Sequence, residues 1–240
     1  LSPVWSRSWE RLVRSSNGVP VLSKRADGTY VRLDGQHRLA AAEMAGLGSD
    51  TFMSEVHEGL TLIEEAQLFL RLNGGRSAVR VFDKFKARLV AKEPVAIAIV
   101  AVLKSLGLKI VKAQQKHGVC AIKAVEGVYH RGNLERTMAI LTDWADGDPE
   151  AYETQLVKAM SAFLEEYPNA PTKEIVEKLQ DYAPGKVTAR LRRTQKTFEC
   201  STREAACIAL RDIYNERRPK RMHLPPLGRQ IEDDMPIAAE

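Results

Sequence analysis

The chain reads as an α+β protein: a small N-terminal α/β portion over residues 1–110, an all-helical portion over 111–222 and an irregular tail over 223–240. Three observations predict this. Two short strand-like runs, 19–23 and 29–33, flank Ala26-Asp27-Gly28, whose composition suits a tight turn. From residue 133 onward apolar residues recur at the 3.6-residue spacing of helices. Beyond Pro219, the residues Pro225-Pro226, Gly228 and Glu232-Asp233-Asp234 carry turn and acidic composition without apolar periodicity. The boundary near 110 is soft, resting on Gly107 and a helix end, with one continuous core as the alternative.

Taken in order, the hairpin of 19–23 and 29–33 leads into Asp34-Gly35-Gln36-His37-Arg38 and an alanine-rich helix over 39–45. A third strand is expected over 51–56. Thr61 with Glu64 forms a capping box that opens a helix with Leu62, Ala66, Phe69 and Leu70 on one face, ending near Asn73-Gly74-Gly75-Arg76. Helices over 82–91 and 94–106 come next, the second apolar enough to be largely buried and stopped by Gly107. Short strands at 108–111 and 118–122 precede a helix capped by Asn133 that runs to Trp144. A further helix carries Tyr152, Leu156, Met160 and Phe163, another runs over 172–182, and a basic one spans 187–196. Ser201 with Glu204 is a second capping box, ahead of Ala205, Ile208 and Ile213.

Composition narrows the function classes. At 240 residues, 44% hydrophobic and 28% charged, the chain has globular rather than disordered character. Cys120, Cys200 and Cys207 are odd in number and match neither a disulfide framework nor a zinc or redox motif, so a cytoplasmic location is expected. The longest apolar run, 95–103, is nine residues, too short to span a bilayer, and no charged-then-apolar leader is present. The net charge of +5 is uneven: residues 186–221 hold eleven Lys or Arg against four Asp or Glu. That excess suits one face meeting a polyanion, with Arg190, Arg192, Arg193 and Lys196 as the DNA-binding candidates; a solvated helical surface is the plain alternative.

The chemistry centres on residues 34–38. A short, Gly-containing strand-to-helix turn aims backbone N–H groups and the positive helix end at one place, which suits a phosphate. His37 and Arg38 add donors, and a guanidinium grips phosphate through two parallel bonds. Gly35, Gln36, His37 and Arg38 are therefore the candidate anion-binding residues. Arg38 could instead pair with a carboxylate such as Asp34 or Glu43. Asp34 is a candidate base or metal ligand as well as an ordinary turn-former, and with His37 makes up the candidate catalytic set.

The run Asp34 to Ala41, DGQHRLAA, resembles the DGQHR-type signature of the ParB/sulfiredoxin superfamily, in particular ParB-like proteins of actinobacterial phages and mobile elements, over roughly residues 18–90. The resemblance implies a ParB/sulfiredoxin-like fold for the N-terminal portion. In ParB proteins the matching turn binds the triphosphate of CTP, and in sulfiredoxin a Gly-Cys-His-Arg turn binds the phosphates of ATP; Gly35, His37 and Arg38 match the latter. Leu72-Asn73-Gly74-Gly75-Arg76 lies where ParB proteins carry Glu-Asn-x-x-Arg, which makes Asn73 and Arg76 nucleotide-binding candidates and Asn73, with Glu64, a magnesium candidate. Leu72 stands in place of the ParB glutamate and can neither coordinate magnesium nor orient water. Gln36 replaces sulfiredoxin's cysteine, which removes the nucleophile for repairing an oxidised peroxiredoxin.

The leading expectation is a ParB-like, nucleotide-binding, DNA-associated protein with CTP or ATP and Mg2+ as cofactors. DNA, nucleotide and a second copy of the chain are the partners it entertains. Two alternatives stay open: a metal-dependent ParB-like nuclease using Asp34 or Glu64, and a catalytically silent DNA-binding module. Whether the protein is an enzyme, an NTPase or a nuclease, is left open by the same residues.

Overall fold

The computed structural model describes residues 19–44, 53–74 and 79–227. The architecture is α+β and mostly helical, and the chain divides into two compact units between Ala96 and Ile97. This division lies ahead of the boundary expected near residue 110.

In the first unit, β1 (Val21–Lys24), β2 (Tyr30–Asp34) and β3 (Glu55–Glu58) form one sheet in the order β2-β1-β3. β1 and β2 are the expected antiparallel hairpin, with Val21 opposite Asp34 and an irregularity between Val21 and Leu22. Asp27 closes the turn by accepting the Thr29 N–H at 2.9 Å, and Gly28 takes the left-handed φ of +82°. β3 runs parallel to β1, pairing Val21 with Glu55; residues 51–52 of the expected third strand lie outside the described residues. The helix α1 (Gln36–Met44) follows β2 and includes Gln36 ahead of the expected alanine-rich stretch, with His37 and Arg38 in its first turn. α2 (Leu62–Asn73) carries the full Thr61–Glu64 capping box and packs on β2 and on α3 (Val81–Val90). Phe85 of α3 is fully buried.

α4 (Pro94–Ser105) buries only the stripe Ala96, Ile99 and Leu103 and leaves Ile97 46% exposed. Its sequence suggests a largely buried helix, but the apolar residues outnumber the buried positions. Downstream, β4 (Lys109–Ile110) and β5 (Gly118–Val119) form a two-residue parallel bridge, shorter than the expected strands. After β5 the chain enters a helix, α5 (Ile122–His130), where the sequence suggests a strand reaching 122 and assigns no element between it and Asn133.

α6 (Leu134–Ala145), α7 (Thr154–Glu166), α8 (Thr172–Leu179), α9 (Pro184–Phe198) and α10 (Thr202–Asn215) complete the second unit. α7 is its centre: residues 159–164 are buried without interruption, and α5, α6 and α10 all pack on it. Asn133 does not cap α6. Its amide instead donates to the Ser161 carbonyl at 3.1 Å and accepts the Ser161 hydroxyl at 2.9 Å, tying α6 to α7. Arg136 holds the α7–α8 loop by donating to the carbonyls of Pro168, at 2.6 Å, and Ala170, and to the Thr172 hydroxyl at 3.2 Å. The Ser201–Glu204 capping box opens α10 as expected.

The expected irregular tail is anchored at its start: Asn215 exchanges two hydrogen bonds with the Leu224 backbone, and the Tyr167 hydroxyl donates to the Pro225 carbonyl at 2.9 Å. All three cysteines are unpaired, and burial pushes the Cys207 thiol up to about 11. No helix among the described residues is long and apolar enough to cross a membrane.

Candidate functional site

The turn between β2 and α1 depends on Gly35, which is buried at φ +88°. A side chain there would bring its Cβ to 3.0 Å from the Pro20 Cα, in a backbone conformation that L-residues avoid. The first backbone bond of α1 runs from the Leu39 N–H to the Gly35 carbonyl at 3.1 Å. The amides of Gln36, His37 and Arg38 precede that ladder and, as at any helix start, have no intrahelical acceptor. Gln36 and His37 are exposed.

Arg38 donates to Asp34 at 3.2 Å, with the two side chains only 19% and 10% exposed. This is the carboxylate pairing that the sequence offers as the alternative to an anion, so any phosphate at the turn must share the guanidinium with Asp34 or displace it. Asp34 is correspondingly engaged rather than poised as a base. No carboxylate places itself against His37 among the described residues.

Asn73 is buried, and its amide nitrogen donates to the Leu33 carbonyl at 3.3 Å and to that of Phe69 at 2.9 Å. The end of α2 is thereby tied to the last β2 residue before Asp34-Gly35. The structure brings Asn73 and the turn together, but Asn73 serves there as a tether. Glu64 is not part of this arrangement: it accepts the Thr61 N–H at 2.8 Å at the opposite end of α2. At 1.5 Å of rise per residue the two backbones are about 13 Å apart, so Asn73 and Glu64 do not form the expected magnesium pair. Thr61 bonds, backbone first, hold the Glu64 carboxyl below its usual value. No group of three metal-ligating side chains occurs among the described residues. Arg76 lies outside them.

Sequence reasoning passed over Arg25. It makes two bonds to Glu65, at 3.1 and 2.6 Å, and this buried carboxylate is held below its usual value chiefly by that guanidinium. The available signal was an acid on the apolar face of α2, since Glu65 shares its side with Ala66, Phe69 and Asn73.

On α9, Arg192, Arg193 and Lys196 are exposed. Arg192 also donates to Gln155 at 3.2 Å. Arg190 departs from this face: it is half-buried and bonds Glu216 at 2.6 Å, beside the Tyr182 hydroxyl that bonds the same carboxylate. The expected DNA role of Arg190 is corrected to a structural one, clamping α9 to the end of α10.

Burial raises the Glu216 pKa, but the Tyr182 and Arg190 bonds outweigh it and the carboxyl lies below its ordinary 4.5. Such a group binds fewer protons folded than unfolded, so its contribution is complete above 4.5 and is lost as pH falls through the lower, folded value. Glu174, bonded by Tyr214 and Arg218, shifts the same way. The melting temperature of the second unit is expected to drop as pH falls below the ordinary glutamate value of 4.5, and Glu216→Gln to flatten that drop; thermal melts across an acid pH series check it.

No curated protein and no solved structure matches the chain. A family model does, over residues 12–199, a span that includes the turn, α2 and the basic helix. The chain belongs to that family, described as the family of unknown function DUF6551.

Proposed function

We propose that this is a ParB-like, nucleotide-binding and DNA-associated protein that holds nucleoside triphosphate at the Gly35 turn and binds it without efficient turnover. The observation that carries this reading is the Asn73–Leu33 bond of 3.3 Å, which sets side by side the two segments that the ParB resemblance assigns to one nucleotide site. The amides of residues 36–38 and the Arg38 guanidinium supply the phosphate donors. Leu72, with no ligating atom at the position of the ParB glutamate, favours binding over hydrolysis. DNA phosphates meet Arg192, Arg193 and Lys196 in a salt-dependent, sequence-independent contact.

Because Asp34 competes with phosphate for Arg38, the two substitutions have opposite signs. Calorimetry with CTP, ATP and GTP is expected to show affinity lost in Arg38→Ala and raised several-fold in Asp34→Asn. Unchanged affinity in both variants, or no binding by the wild type, removes the site. A nuclease using Asp34 would instead lose plasmid cleavage in Asp34→Asn. For the helical unit, replacing Arg192, Arg193 and Lys196 together is expected to weaken DNA binding and to flatten its salt dependence; unchanged affinity removes DNA from the reading.

A further inference from the structure

The second unit contains a groove of about 280 Å3 between α7, α9 and α10 that the nucleotide reading does not use. Three cations line it: Arg131, which lies just past α5, Lys158 of α7 and Arg203 of α10. Glu165 fixes two of them, bonding Arg131 at 2.7 Å and Arg203 at 2.5 Å through its two oxygens. Lys158 is exposed and pairs with no carboxylate among the described residues. The lining side chains thus include three cations and no carboxylate; Glu165 holds the two arginines in place before any ligand arrives, Glu166 also acts on Arg203, and Lys158 adds a charge that neither acid pairs with.

The rest of the lining is of a different kind. Ala159, Ala162, Ala205, Ala206 and Leu191 give the groove an apolar floor, and all five are buried. Two amides stand beside it with complementary groups left over: Gln155 accepts from Arg192, which leaves its N–H donors, and Gln195 donates to Thr202 at 3.1 Å, which leaves its carbonyl. An apolar floor with a few convergent polar groups is the usual composition of a small-molecule site, and this volume is near the lower end of the range. It exceeds what a bare phosphate fills.

We propose that this groove binds a phosphate monoester carried on a flat heteroaromatic body, of nucleoside monophosphate size. The phosphate meets Lys158 and the Arg131–Arg203 pair. The flat body lies on the alanine floor, with its donor and acceptor edge toward Gln155 and Gln195. The same chemistry is offered by a free mononucleotide and by the 5′-phosphorylated end of a strand.

The test uses the full chain carrying Arg38→Ala, so that the turn in the first unit does not contribute. AMP, CMP, inorganic phosphate and a 5′-phosphorylated eight-nucleotide strand are titrated by calorimetry. A mononucleotide is expected to bind at least ten-fold more tightly than inorganic phosphate, and Lys158→Glu to weaken it at least ten-fold. Lys186→Glu, at an exposed cation that does not line the groove, is expected to leave it unchanged. Tighter binding of the strand than of the mononucleotides identifies a strand end as the source, and the reverse a free nucleotide. Equal affinity for mononucleotide and inorganic phosphate, no binding at all, or insensitivity to Lys158→Glu overturns the proposal. Lys158 is exposed, so its replacement leaves the core intact, and Gln195→Ala provides a second, uncharged variant that is expected to weaken the mononucleotide but not inorganic phosphate.

Discussion

Gly35→Ala is expected to weaken nucleotide binding about ten-fold or more and to lower the melting temperature of the first unit. The left-handed φ of +88° alone costs an alanine about 1–2 kcal/mol. Its Cβ would also meet the Pro20 backbone at 3.0 Å, tighter than ordinary contact. Pro20 immediately precedes β1, so relief must come from shifting either the sheet edge or the start of α1. The second shift re-aims the amides of residues 36–38, which is why stability and affinity fall together. Paired melts and binding titrations check this; an alanine variant with wild-type affinity would mean that the turn does not position the phosphate donors.

Arg136→Met is expected to destabilise the second unit by about 3 kcal/mol. Its guanidinium satisfies two carbonyls and one hydroxyl in the α7–α8 loop, and Ala170, which supplies one of those carbonyls, is buried. Methionine retains the apolar stem and takes the donor away from the carbonyl of buried Ala170, while the exposed Pro168 carbonyl can turn to water. Arg193→Met, at an exposed position, is expected to stay within about 0.5 kcal/mol of wild type. Urea unfolding of the two variants separates them, and equal midpoints would show that the loop is held by other means.

The parts of the fold that were legible in the sequence are those governed by neighbours in the chain. The Asp27-Gly28 turn and the two capping boxes at Thr61 and Ser201 close over two or three residues, so residue types and spacing suffice. α5 was not legible because Ile122, Val125 and Val128 are β-branched and Gly127 sits inside the helix. Burial against α7 overrides those weak preferences. Asn133 reads as a cap because its partner, Ser161, is 28 residues away. Arg190 likewise reads as a free cation because Glu216 lies 26 residues downstream.

In the candidate site the Asp34–Arg38 pair was visible as an alternative, since Asp34 lies only four residues before Arg38, on the other side of the Gly35 turn. The tethering of Asn73 to Leu33 was not, because it joins positions 40 residues apart. The groove at Arg131, Lys158 and Arg203 draws on four separate helical segments and left no local mark at all.

The central claim is that the amides just after Gly35 receive a nucleotide's phosphates. Amide chemical shifts recorded during titration with CTP and magnesium, in Lys158→Glu protein so that the helical groove is disabled, test it most directly. The expected result is that resonances of Gly35, Gln36, His37 and Arg38 move furthest and saturate together, and that Arg38→Ala abolishes the movement. Saturation of binding with those four resonances unmoved, or no binding at millimolar nucleotide, would contradict it.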